Sequence, residues 1–154
     1  MKNTTDIQLA YLAGILDGEG YISIHRLKKA KDKEYKSYVP IVTIQMTDFQ
    51  PVRLFKRIFG GFYAEYPKQL KSGKVVYVWS VHTHKNVQIV LTALLPYLQI
   101  KKKEAKFALI FIRHMLKITG SRPRPGRGHA YPTKVREYQE ASFYKMKALK
   151  HRKV

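Results

Sequence analysis

Between Leu9 and Leu16 the chain reads LAYLAGIL, eight residues without a charge. It then turns abruptly polar at Asp17-Gly18-Glu19-Gly20. No other stretch limits the possible folds as strongly. Thr5-Asp-Ile-Gln8 is a capping-box pattern, so a helix starts near Thr5. The paired glycines at 18 and 20 stop it. A helix that is apolar all round asks for cover on every side. Its two acids stand at the negative end of the helix dipole, where carboxylates are unfavourable unless something offsets them. The fold has to supply both the cover and the offset.

The rest of the chain punctuates clearly. Tyr21–His25 alternates as a half-buried strand, and Tyr38–Met46 is its return strand, with Pro40 near an edge or bulge. Residues 27–36 read as the tip of this long hairpin. Phe49–Phe59 is a helix with Asp48 as N-cap and Gly60-Gly61 as its stop. Phe62–Tyr66 and Val75–His82 form a second hairpin. Helices follow over His84–Leu95, Lys103–Lys117 and Thr133–Lys150, with a Pro-, Gly- and Arg-rich loop over residues 120–132. The order is α-ββ-α-ββ-α-α-α. It predicts a mixed α+β domain, one curved antiparallel sheet covered on one face by helices.

Thirty Lys and Arg against ten Asp and Glu give a net charge of +20. So much self-repulsion in 154 residues points to an anionic partner, nucleic acid first. Cysteine is absent, which excludes a disulfide scaffold and thiolate chemistry and fits a reducing interior. The sequence has no apolar run long enough for a transmembrane helix, and MKNTTDIQ lacks a signal-peptide core.

Lysines cluster at both hairpin tips: Lys28, Lys29, Lys31, Lys33 and Lys36 in one, Lys68, Lys71 and Lys74 in the other. Such tips suit a phosphate backbone, although lysine also keeps sheet edges soluble. Alternation assigns Ile22, Ile24, Val75, Tyr77, Trp79 and Val81 to the core face. Tyr21, Ser23, His25, Val76, Val78, Ser80 and His82 fall on the open face. Thr43 and Gln45 join it, because hydroxyl and amide groups read base edges, with ordinary exposure the alternative for Gln45. Tyr66, Arg53 and Lys103 complete the candidate DNA-contacting set.

Ala10, Gly14 and Gly18 form one small-residue stripe along the first helix, next to Tyr11 and Ala13. A symmetric partner using the same stripe would cover the helix. Asp17 and Glu19 would then approach their symmetry mates, and hard divalent cations between phosphates would offset the clustered charge. Paired metals on a phosphodiester activate water and stabilise the leaving oxygen.

Leu12-Ala-Gly-Ile-Leu-Asp-Gly-Glu-Gly20 resembles the signature of the LAGLIDADG homing endonucleases, with Glu as the second acid. The element order over residues 5–118 and the segment PYLQIKKKEAKFAL, residues 96–109, resemble the same family. One copy of the signature implies a homodimer that cuts a long, near-palindromic double-stranded DNA site with Mg²⁺, with Mn²⁺ or Ca²⁺ as substitutes in binding. The resemblance further implies Glu19 and the Gly18 carbonyl as metal ligands with Asp17 in support. It implies Asp48 as a residue ordering active-site water and Lys101 as a basic residue near the scissile phosphate. A basic residue found in some relatives aligns here with Val52, next to Arg53. Dimer contacts are expected from Ala10, Tyr11, Ala13, Gly14, Asp17 and Gly18. An intron maturase binding RNA, or a basic nucleic-acid-binding protein without cleavage, also fits these residues.

Overall fold

The computed structural model describes residues 4–29, 32–66, 73–119 and 131–150, with side chains other than those of 28–36 and 119. Helix α1 spans Asp6–Glu19 and strands β1 and β2 span Gly20–Lys29 and Asp32–Met46. Helix α2 (Phe49–Phe59) leads to β3 (Phe62–Tyr66) and β4 (Val76–Val81). Helices α3 (His84–Leu94), α4 (Lys102–Thr119) and α5 (Thr133–Lys150) complete the chain. The expected order is present. The first hairpin is longer than alternation suggests, since much of the anticipated tip is paired strand.

The four strands form one antiparallel sheet in the order β1-β2-β4-β3. Pro40 lies in β2 opposite Ile24, and β4 pairs only with Val42–Met46. The outer side of Pro40 therefore has no ladder partner among the described strands, which is where a residue without N–H is tolerated. One sheet face carries Ile22, Ile24, Val42, Ile44, Trp79 and Val81, all buried against Leu12, Leu16, Phe55, Val87, Leu91 and Ile112 of the helices. Trp79 stacks on Phe55 at 4.8 Å between ring centroids and donates its indole N–H to the Gly60 carbonyl at 2.6 Å. That contact ties the α2 stop to the sheet. It also explains Gly61, which has φ +84° and would place a Cβ 2.7 Å from the Ser80 carbonyl.

Helix α1 begins as the capping box requires: Gln8 N donates to Thr5 Oγ1 and Thr5 N to Gln8 Oε1. Its expected burial on every side is not observed. Leu12, Ala13 and Leu16 are fully buried, whereas Ile7, Ala10, Tyr11, Gly14 and Gly18 are exposed. Helix α5 packs on α4 and β1. Val135, Gln139, Ser142 and Met146 face inward, and Tyr138 stacks on Phe111. The C-terminal helix is thus part of the domain's packing.

Candidate active site and nucleic-acid interface

The acids at the end of α1 find their offset in α4. Asp17 is 8% exposed, and its carboxylate accepts three backbone N–H groups. Gln99 and Ile100 donate to Oδ2 at 2.7 and 3.2 Å, and Lys101 to Oδ1 at 2.8 Å. They belong to the turn that leads into α4, with Lys101 at its cap position, so the carboxylate sits by the positive end of that helix. Asp17 is at the wrong end of its own helix and the right end of another. The reverse contact completes the exchange: the Lys101 ammonium donates to the Asp17 backbone carbonyl at the end of α1. Each helix terminus is therefore neutralised by a side chain from the other. Lys101, Lys102 and Lys103 stand at this helix start, where the dipole disfavours cations, and the Asp17 charge offsets that within the chain.

Glu19 stands apart from this exchange. It is exposed, and no hydrogen bond or ion pair engages its carboxylate among the described residues. Gly20 caps α1 by donating to the Leu16 carbonyl, so the Gly18 carbonyl lies beyond the last intrahelical acceptor. Gly20 must stay small, because a Cβ there would lie 2.6 Å from the Leu16 carbonyl. The free Glu19 carboxylate and the terminal carbonyls are hard oxygen donors of the kind Mg²⁺ accepts. They fit a divalent cation as part of a ligand set. Among the described residues no three His, Asp or Glu side chains gather into a metal cage.

The exposed stripe of α1 begins beside that carboxylate. A Cβ on Gly14 or on Gly18 would meet nothing within 4 Å, and Ile7 and Tyr11 are 82% and 50% exposed. Ala13 and Asp17 were expected at the same interface. They point instead into their own protomer, since 3.6-residue periodicity puts them on the Leu12 and Leu16 side. Asp48 caps α2, accepting from Gln50 N at 2.9 Å, and its carboxylate is exposed. Arg53 is exposed and lines, with Tyr11, Gln50 and Arg57, a cavity of about 390 Å³.

Cross-strand register fixes the open sheet face. Tyr21, Thr43, Ser80 and Phe62 form one row; Gln45, Val78 and Ala64 form another; Val76 faces Tyr66. The expected parity holds, but access does not follow parity. Ser23, Val76 and Ser80 are 6%, 2% and 9% exposed. Small residues in a sheet are shaded by tall neighbours: Ser23 lies between Tyr21 and His25, whose rings meet edge to face at 5.6 Å. Thr43 donates its hydroxyl to the Trp79 carbonyl at 2.8 Å, so that hydrogen is not free for a base. The accessible groups are Tyr21, His25, Gln45, Tyr66 and Phe62, the last unforeseen although it alternates with Ala64 and Tyr66. Lys74 and Lys103 are exposed. The side chains of Lys28 and Lys29, and all of Lys68 and Lys71, lie outside the described residues.

A further cation reaches this face unannounced by any motif. The Lys150 ammonium, from the end of α5, sits 3.2 Å from the Tyr21 ring centroid, a cation–π contact. Burial pushes the Lys150 pKa down, and Lys101 adds to this against the opposing pull of Tyr21 and Glu104. Burial and then the Lys150 charge hold His25 below the usual histidine value. Burial raises the Tyr21 phenol, but Ser23 and Lys150 together outweigh it and leave it lowered. The end of α5 was recognisable in sequence only as basic.

A family model, LAGLIDADG endonuclease, matches residues 12–113. Among solved structures, the homing endonuclease I-CvuI on a DNA target in 2 mM Mg aligns with TM-score 0.69 and 21% identity, covering 96% of this chain and 84% of that one. The archaeal intron-encoded I-Vdi141I bound to DNA aligns with TM-score 0.69 and 12% identity over 97% of this chain and 87% of that one. I-GzeII, also on its DNA target, aligns with TM-score 0.65 and 17% identity over 91% of this chain but 43% of its own. The domain therefore overlays on most of two chains and on less than half of the third. No match was found among curated protein sequences.

Proposed function

The chain belongs to the LAGLIDADG endonuclease family, and on that premise we propose a homing endonuclease that works as a homodimer on a long, near-palindromic DNA site. The observation that carries the reading is Glu19. It is an exposed, unengaged carboxylate at the end of a helix whose small, open stripe is left uncovered by its own protomer. Packing that stripe against its two-fold mate covers Ile7 and Tyr11 and brings the two Glu19 carboxylates together. Mg²⁺ held there by Glu19 and the Gly18 carbonyl would activate water and stabilise the leaving oxygen. The protein's own part is to orient and to neutralise. Asp17 locks α4 so that Lys101 stays within reach of the scissile phosphate. Asp48 presents an acceptor that can order water at the start of α2. Tyr21, His25, Gln45 and Tyr66 face the bases, and the lysines and Arg53 hold the backbone.

The test is selection of cleaved sites from a random DNA library with wild-type protein and Mg²⁺, followed by Glu19→Gln on the recovered site. Both strands should be cut by the wild type, and Glu19→Gln should bind without cutting. Tight binding by the wild type with both strands intact in Mg²⁺ and Mn²⁺ would defeat the nuclease reading. Splicing of an intron RNA in place of cleavage would support a maturase.

A further inference from the structure

Helix α5 lies beyond the family match, which ends at residue 113. Its last described residue nevertheless reaches the strand that leaves Gly20. The Lys150 ammonium nitrogen is buried over Tyr21 and has no hydrogen-bond acceptor among the described residues. Glu104 is only 9% exposed, and its Oε2 is likewise unbonded. Tyr21, Ile22, Ile100, Lys101, Glu104 and Lys150 line one cavity of about 320 Å³. Buried polar groups left without partners cost free energy, so such a cluster favours whatever completes it. Two ammonium groups against one carboxylate leave the cavity positive, which disfavours a metal cation and favours an anion. The N–H groups of Gln99, Ile100 and Lys101, just before α4, do not supply this attraction, since Asp17 already engages them.

We propose that this cavity seats a phosphate of the DNA backbone next to the cleavage centre, with Lys150 as its ligand and the Glu104 carboxylate opposing it from the cavity wall. The inference rests on the endonuclease reading. It assigns to α5 a share of substrate binding that the LAGLIDADG signature does not contain. Tyr21 follows Glu19 by two residues, so the phosphate taken here is a near neighbour of the one that is cut.

The experiment uses the full-length protein and the site recovered by selection. Lys150→Met keeps the aliphatic stem against Tyr21 and removes the charge; Lys150→Arg keeps the charge. Lys150→Met should weaken DNA binding about ten-fold at moderate salt and lower the slope of log K against log salt by roughly one per subunit. Lys150→Arg should restore most of the affinity. Duplexes with a single methylphosphonate at successive positions should reveal one near the cleavage point that costs the wild type affinity and leaves Lys150→Met unchanged. Glu104→Gln should act in the opposite direction and tighten binding. Unchanged affinity and salt slope in Lys150→Met, or identical methylphosphonate profiles, would overturn the phosphate seat while leaving the endonuclease reading intact. Wild-type protein that binds but never cuts would defeat the nuclease reading alone. Absence of any DNA binding would defeat both.

Discussion

Asp17→Asn separates a capping carboxylate from a metal-binding one. Three N–H groups of the turn leading into α4 converge on Asp17 at 2.7, 2.8 and 3.2 Å, two on one oxygen and one on the other. Asparagine keeps one acceptor oxygen and turns an NH₂ group toward a donor. The negative charge at the α4 N-terminus is lost as well. A hydrogen bond to a charged group contributes about 1.5–3 kcal/mol, and removing one partner in a buried setting leaves the other unsatisfied. The helix-dipole contribution is about 0.3–1 kcal/mol. Losing one charged bond, weakening the others and losing the dipole interaction together predict a destabilisation of roughly 2–4 kcal/mol. For a domain of this size that is a fall in Tm of about 4–16 °C.

The assay is thermal unfolding in metal-free buffer at one fixed protein concentration, because the proposed dimer would make Tm concentration-dependent. Glu19→Gln is the internal control. Glu19 is exposed and unengaged, so its amide should melt within a degree or two of the wild type or slightly above. Lys101→Met, which removes the reverse contact to the Asp17 carbonyl, should also destabilise. Combined with Asp17→Asn, its effect should be less than the sum, since the two contacts lock the same pair of termini. If Asp17→Asn melts with the wild type and loses only metal-dependent cleavage, the reciprocal cap is not what Asp17 is for.

Four further outcomes are expected. Gly14→Leu should fold, because its side chain enters open space, but should sediment as a monomer without cleavage activity. Gly61→Ala should destabilise by about 2 kcal/mol or more in denaturant unfolding, since it combines a positive φ with contact on the Ser80 carbonyl. The His25 imidazole should titrate below 6.5 in NMR. A depressed histidine leaves stability complete above its unfolded pKa and erodes it as pH falls toward the folded value. Lys150→Met should move the His25 midpoint upward. The Tyr63 phenol donates to Glu65 Oε1 at 2.6 Å and is pushed up to about 12. Its contribution is present below pH 10 and is lost as pH rises through 12; Glu65→Gln should return its ultraviolet titration toward the ordinary value.

What the sequence made legible, and what it hid, follows from the range of the forces involved. The capping box at Thr5, the Asp48 cap, the Gly60-Gly61 stop and the Ile22, Ile24 and Trp79 core face are read by neighbours a few residues away, and periodicity reveals them. Asp17 is different. Its partners are Gln99, Ile100 and Lys101, more than 80 residues along the chain, so a local rule sees only a carboxylate at an unfavourable helix end. The same limit explains Ser23 and Ser80: alternation fixes the face a residue points to, whereas access depends on the height of rings in the adjacent positions. It also explains Lys150, whose place over Tyr21 is decided by how α5 docks through Tyr138 and Phe143 on Phe111 and Tyr38. The two acids of the signature thereby acquire opposite tasks. Asp17 is satisfied inside the protomer and fixes the position of Lys101. Glu19 stands at the surface with no partner among the described residues, so its carboxylate is open to a ligand from outside the chain.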